Sequence, residues 1–248
     1  MTTEKIQKVL ARSGYGSRRQ MQVWITQGRI QVNSQLATLG DRVSPEDVIY
    51  IDGKRAKITP ASVHTQVILY NKPEGELSTR HDPEGRATIF DRLPALAEGR
   101  WVSVGRLDCN TTGLILFTND GALAHQLMHP SSQIEREYVV RVSGVLTEPM
   151  GRRLTQGVQL EDGTARFEHI VETKSAGSNR WYRVLVVQGR NRVVRRLMAS
   201  QGLTVNRLKR VRYGPVLLPK TLSLGAVMTL SAEQIEALRA VCAAPRTS

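Results

Sequence analysis

The sequence predicts an α+β protein in two parts: a small N-terminal unit over residues 1–62 and a larger unit over 63–248 built on a mixed, mostly antiparallel sheet with helices on one side. Three observations lead there. Helical spacing of apolar residues in the first part is confined to two short segments, and short strand patterns follow them. Beyond residue 62, strand-like runs outnumber helical ones. No internal repeat or low-complexity segment interrupts either pattern, so the strands and helices of the second part belong to one α+β arrangement.

The elements follow in order. In EKIQKVLARSG, Ile6, Val9 and Leu10 have helical spacing. Ser17 suits the N-cap of a second helix that runs through Met21, Trp24 and Ile25 and stops at Gly28. Strands are expected over 29–32 and 48–51, with turns at Asn33-Ser34, Gly40-Asp41 and Asp52-Gly53. Pattern alone leaves two readings of this unit open: an RNA-binding module using its basic helix surface, or an ordinary small domain. After a Thr59-Pro60-Ala61-Ser62 linker, strands are expected over 67–70, 101–104, 114–118, 137–142, 164–172, 181–187, 204–213 and 226–230. Helices are expected over 121–128, 148–156, 191–200 and 232–243, the last opened by a capping box from Ser231 to Gln234.

Charge narrows the function. The 248 residues carry 35 Lys+Arg against 22 Asp+Glu, a net +13. A balance this basic points to a polyanionic partner. Between Glu172 and Glu233 there are twelve Lys or Arg and no Asp or Glu, with Arg190, Arg192, Arg195 and Arg196 clustered near its middle. Such a single-sign field is better explained by phosphate contacts than by a solvated face, where signs normally mix. No long amphipathic helix carries the charge, so nucleic acid is expected and a membrane is not. The start, MTTEKIQKVLARSG, lacks the apolar core of a signal peptide, and Cys109 and Cys242 have no metal-ligand spacing. Both features fit a reducing cytoplasm.

The chemistry concentrates in GRLDCNTTGLILFTNDG, where Asp108 sits between two strand-like runs. One reading is a hairpin turn in which Asp and Asn bond their own backbone. The other is a nucleophile or base held on a rigid loop. Two further segments supply what such a site needs. In IEREYVVRV, Tyr138 offers an aromatic face and a hydroxyl. In VVQGRNRVVRRLMASQG, a Gly189-Arg190 turn precedes a basic helix, and an arginine in its first turn could pair with the carboxylate, keep it ionised and orient it. Other candidates are weaker. Cys109 has no evident base partner. His125 and His129 stand four apart without a third ligand, so no metal is expected. The Gly189 turn lacks the phosphate-loop pattern, and Trp24, Trp101 and Trp181 read as core or interface residues.

KIQKVLARSGYGSRR, WITQGRIQVNSQ and GDRV together resemble the S4 RNA-binding domain. That resemblance implies a grip on structured RNA by Lys5, Lys8, Arg12, Ser17, Arg18, Arg19 and Arg29. GRLDCNTTGLILFTNDG, together with NKPEGELST, DPEGRATIFDRLP, REYVVRV, GVQLEDGTARF and GRNRVVRRLMASQG, is similar to the pseudouridine synthases of the branch that carries S4 domains and modifies ribosomal RNA. The resemblance covers nearly the whole chain. It implies the pseudouridine synthase fold and isomerisation of a uridine, here in large-subunit (23S) ribosomal RNA. It also implies Asp108 as the covalent aspartate, Tyr138 as the residue stacking on the base, Arg195 as the ion-pair partner of Asp108 and Leu197 as a packing residue. Arg106 matches an arginine that fills the gap left by a flipped nucleotide, while Arg190, Arg192 and Arg196 are assigned to RNA. Val193 departs from the family, which usually has Gln or Glu there. The reaction breaks N1–C1′ and joins C5 to C1′ without oxidation or group transfer, so no cofactor is expected. A monomer acting on ribosomal RNA is the reading. Its rivals are a non-catalytic S4-type RNA-binding or ribosome-assembly factor, and an RNA hydrolase using Asp108 as a base.

Overall fold

The computed structural model describes residues 3–60, 64–176 and 179–243. Ala61 and Ser62 of the expected linker lie outside the described residues. The chain forms two compact units.

In the first, the elements are β1 (Glu4–Lys5), α1 (Ile6–Arg12), α2 (Arg18–Thr26), β2 (Ile30–Val32), β3 (Gln35–Leu36), β4 (Arg42–Val43), β5 (Ile49–Ile51) and β6 (Lys54–Arg55). A small antiparallel sheet runs β3-β2-β5-β6, and β1 pairs with β4. Ile6, Leu10, Met21, Ile25, Ile30 and Ile49 form its core. The Ser17 hydroxyl accepts the Gln20 N–H at 3.0 Å, the expected cap, and α2 ends before Gly28, whose φ of +69° suits glycine. Pro94–Val102 and Asn119–Gly121 also fold with this unit, although they are distant in sequence. There the Trp101 indole N–H donates to the Pro94 carbonyl at 2.7 Å.

The second unit continues with β7 (Val67–Lys72), β8 (Val102–Val104), β9 (Thr112–Thr118), α3 (Gly121–Met128), β10 (Arg136–Ser143), α4 (Glu148–Gln156), β11 (Val158–Leu160), β12 (Gly163–Ala165), β13 (His169–Ala176), β14 (Asn179–Val186), α5 (Val193–Ala199), β15 (Thr204–Tyr213), β16 (Val216–Leu217), β17 (Val227–Thr229) and α6 (Ala232–Ala243). Among the described residues the sheet runs β13-β14-β10-β15-β9-β7-β17, with β16 on β15 and β8 on β9. Of its registered pairings only β9–β15 is parallel. The fold is therefore α+β on a mixed, mostly antiparallel sheet. β7 is buried along its whole length, its apolar run over 67–70 continuing into buried Asn71 and Lys72, and β9 is buried from Gly113 onward. β10 instead alternates, burying Arg136, Tyr138, Val140 and Val142.

Two expectations need correction. The strand expected over 164–172 is two strands. Gly163, at φ +106°, turns a local β11–β12 hairpin, and the chain then leaves it so that Phe167 is buried and its N–H bonds the Leu154 carbonyl at 2.9 Å. The helix expected over 191–200 starts two residues later, because Arg192 is left-handed at φ +49° and serves as its N-cap.

The parallel junction depends on Gly113. At φ +100° it approaches β15 so closely that an added Cβ would lie 2.2 Å from the Arg210 carbonyl oxygen. Gly113→Ala combines a strained backbone with a main-chain clash, so we expect a loss of about 3 kcal/mol of stability. Thermal melting should show a drop of about 6–12 °C; an unchanged melting temperature would contradict the close approach.

Candidate active site

The loop between β8 and β9 carries Asp108 in a turn closed by the main chain, with the Thr111 N–H donating to the Asp108 carbonyl at 3.0 Å. The carboxylate is left for other work. Its Oδ2 lies 3.4 Å from Arg192 Nη1 and 3.9 Å from Arg195 Nε. The turn reading and the site reading therefore describe different atoms of one residue.

Three groups hold this loop. Before Asp108, the Ser78 hydroxyl donates to the Leu107 carbonyl at 2.6 Å and accepts the Leu107 N–H at 3.1 Å. After it, the Lys72 ammonium is fully buried and donates to the carbonyls of Pro73, Cys109 and Thr111 at 2.9, 3.2 and 3.1 Å. All three donors are used, so the charged form is bonded as a charged form should be. Burial pushes the Lys72 pKa down, while the nearby charges of Glu76, Asp108 and Glu74 support protonation. From the other side, Arg195 donates to the Asn110 carbonyl at 2.8 Å and the Val205 carbonyl at 3.0 Å. Burial and the neighbouring Arg192 charge press the Arg195 pKa down, and Asp108 is first among the groups that oppose this. Arg195 thus holds the loop's shape and carries the less exposed of the two positive charges facing Asp108, whereas Arg192 is half-exposed.

Asp108, Tyr138, Arg106, Arg190 and Arg192 line one open cleft of about 1520 Å³. Its lining includes six arginines and four carboxylates, and its size exceeds the ~300–1,000 Å³ of small-ligand pockets, so it suits a strand rather than a metabolite. Tyr138 stands on β10 where its pairing with β15 shifts register between Glu137 and Tyr138, a bulge that aims the ring locally. Arg210 also lines the cleft but is structural: it is buried, and its Nε donates to the Leu114 carbonyl at 2.7 Å.

The remaining expected residues are distributed as follows. Arg196 points to the β11–β12 hairpin, where it forks onto Asp162 at 2.8 and 2.9 Å, with Arg190 3.7 Å from the same carboxylate. Those Arg196 hydrogen bonds lower the Asp162 pKa. Leu197 is fully buried and Val193 nearly so. In the first unit Lys8 and Arg12 both pair with Glu4, and Arg29 forks onto Asp52 while stacking 4.3 Å from the Trp24 ring. Ser17 is spent on capping α2, leaving Lys5, Arg18 and Arg19 exposed to solvent. His129 Nδ1 lies 2.6 Å from the Ser131 hydroxyl in a short 3₁₀ turn. Among the described residues no group of three or more His, Cys, Asp or Glu could hold a metal. Lys72 and Ser78 carry no signal of their role beyond their place in NKPEGELST, because their acceptors lie some thirty to forty positions away.

A braced aspartate facing two arginines in a basic, strand-sized cleft defines a nucleic-acid-modifying class. The family described as RNA pseudouridylate synthase matches residues 66–200, and the S4 domain matches residues 4–49. The chain belongs to the RNA pseudouridylate synthase family. It is 55% identical over 237 residues to "Ribosomal large subunit pseudouridine synthase B" of Pseudomonas aeruginosa, covering 95% of this chain and 61% of that protein. To the protein of the same name from Vibrio cholerae it is 54% identical over 239 residues, covering 96% and 74%. A solved structure titled "Crystal structure of pseudouridylate synthase" aligns with TM-score 0.65 and 26% identity, covering 94% of this chain and 99% of that one.

Two outcomes are expected. Arg195→Met removes the more buried cation, its bond to the loop at Asn110 and its anchor on β15 at Val205, so turnover at saturating RNA should fall by about 10²-fold or more. Arg196→Met loses only a solvent-screened pair with Asp162 and should keep most turnover; the reverse ranking in single-turnover assays would refute this assignment. At the cleft wall, hydrogen bonds from Arg86 pull the Asp82 pKa to about 2. A depressed carboxyl stabilises above the unfolded range near pH 4 and loses that contribution as pH falls through about 2. The melting temperature of Asp82→Asn should therefore lie below wild type at pH 7, with the gap closing as the pH falls from 4 towards 2.

Proposed function

We propose that this chain converts a specific uridine of large-subunit ribosomal RNA to pseudouridine, with Asp108 as the covalent residue. The observation that carries the reading is the Asp108 carboxylate itself, facing Arg192 and Arg195 inside a cleft that also presents Tyr138. The relatives named above support the choice of ribosomal RNA. Two adjacent cations face the carboxylate at 3.4 and 3.9 Å and orient it for the covalent role.

The target base leaves its stack, at a cost of a few kcal/mol, and enters the cleft, where stacking on Tyr138 recovers about 1–3 kcal/mol. Arg106, exposed on the cleft wall, occupies the vacated place in the RNA. Asp108 bonds transiently to the nucleoside while N1–C1′ breaks, the uracil turns, and C5–C1′ forms. The proton lost from C5 is matched by one gained at N1, so product and substrate are isomers and no cofactor enters. Lys72, Ser78 and Arg195 act as positioning residues for the loop. The S4 unit supplies a second RNA contact, with Lys5, Arg18 and Arg19 among its exposed cations, and raises the effective concentration of target at the cleft. We place the enzyme in the reducing cytoplasm as a monomer, where the exposed Cys109 remains a thiol.

Asp108→Asn should keep the fold and RNA affinity but abolish tritium release from 5-tritiated uridine in unmodified ribosomal RNA. Near-normal release by that variant would sink the assignment, and mapping the modified position would identify the uridine.

A further inference from the structure

The cleft accounts for only part of the basic run between Glu172 and Glu233. Strand alternation sorts the remainder. On β10, Tyr138, Val140 and Val142 are buried, so Glu137, Val139 and Arg141 belong to the opposite face of the sheet. Pairing register extends that face across three strands. Val139 lies opposite Arg183 on β14 and Lys209 on β15, and Arg141 lies opposite Trp181 and Arg207. Neighbouring strands stand ~4.8 Å apart, so these side chains form one patch rather than scattered charges.

The patch is open and strongly biased. Arg183 and Arg207 are exposed, and Arg141, Trp181 and Lys209 are half-buried. The Arg141 guanidinium sits 5.9 Å from the Trp181 ring centroid, leaving an aromatic surface beside cations. Along β10, β14 and β15 the sole acidic residue is Glu137, and it is neutralised by Arg183 at 3.1 Å and Arg212 at 2.9 Å. Among the described residues, Arg141 Nε is enclosed without a hydrogen-bond acceptor. A sheet face with cations in excess and an aromatic ring among them has the chemistry of a single-stranded RNA platform.

We propose that this face, opposite Tyr138, binds the phosphodiester backbone of a second RNA segment outside the one entering the cleft, with an unpaired base against Trp181. The inference rests on the reading that the substrate is a large structured RNA. It adds that recognition uses both faces of the catalytic sheet. The cleft would handle the target nucleotide, and the outer face would select long RNA over a short fragment.

The test uses the full chain and two unmodified substrates: the complete large-subunit RNA transcript and a short hairpin cut around the mapped uridine. In the triple variant Arg141→Gln, Arg207→Gln, Lys209→Gln, KM for the transcript should rise about tenfold or more near 0.15 M salt, with kcat unchanged. The slope of log affinity against log salt for the transcript should become shallower by about 2, as loss of two or three phosphate contacts requires. Turnover of the short hairpin should stay within twofold of wild type, which also reports correct folding. Trp181→Ala should cost about tenfold in transcript affinity with little change in salt slope. If the triple variant destabilises the sheet, Arg207→Gln alone, on an exposed side chain, should still reduce the slope by about 1. Equal affinity and equal slope for wild type and variants would overturn the proposal. So would an unchanged RNA response accompanied by lost binding of a purified ribosomal protein, which would make the face a protein-docking surface. Should wild type modify neither RNA, the functional reading fails instead, and the salt slopes still report on this face.

Discussion

The approach of Gly113 to the Arg210 main chain is the constraint on which the catalytic half depends. It lets β9 run parallel to β15 within a sheet whose other registered pairings are antiparallel. The Asp108 loop enters β9 immediately before this junction, and α5, which carries Arg195, enters β15 shortly before the same rows. Joining those two strands therefore brings a carboxylate and its cations together from distant parts of the chain. A side chain at position 113 would push the strands apart and separate the charges along with them.

The loop above the junction is rigid for a complementary reason. Its carbonyls at Cys109, Asn110 and Thr111 all accept from buried or half-buried cations, Lys72 and Arg195. Cations that would be costly to bury alone are stabilised by oriented dipoles, and the dipoles in turn are fixed by the cations. Asp108 gains the placement of its main chain from Lys72 and Arg195, and only Arg195 of these two also faces its carboxylate.

Much of this was legible from residue pattern. Continuous apolar runs identified β7 and β9, Ser17 announced its cap, and GRLDCNTTGLILFTNDG marked the loop. What stayed hidden were properties of long-range juxtaposition. The lysine in NKPEG has no assigned role in the sequence, because its acceptors at positions 109 and 111 are invisible locally. Arg192 reads as an RNA contact, since nothing in GRNRVV announces a left-handed residue turned towards Asp108. The β11–β12 hairpin was missed because its strands are three residues long and its packing partner is α5. Arg196 is likewise committed to Asp162, a partner that spacing alone could not assign.

The sequence distance between the paired groups also governs when the site comes into being. Arg192 reaches Asp108 across 84 positions, and Arg210 reaches Leu114 across 96. Contacts of that separation are closed late, after local hairpins and helices have formed. During synthesis, a growing chain whose first unit is already complete holds a carboxylate with neither arginine beside it. Assembly of the site is thus deferred until residues past 210 have been made and paired into the sheet, so a nascent fragment carries the aspartate before it carries the site.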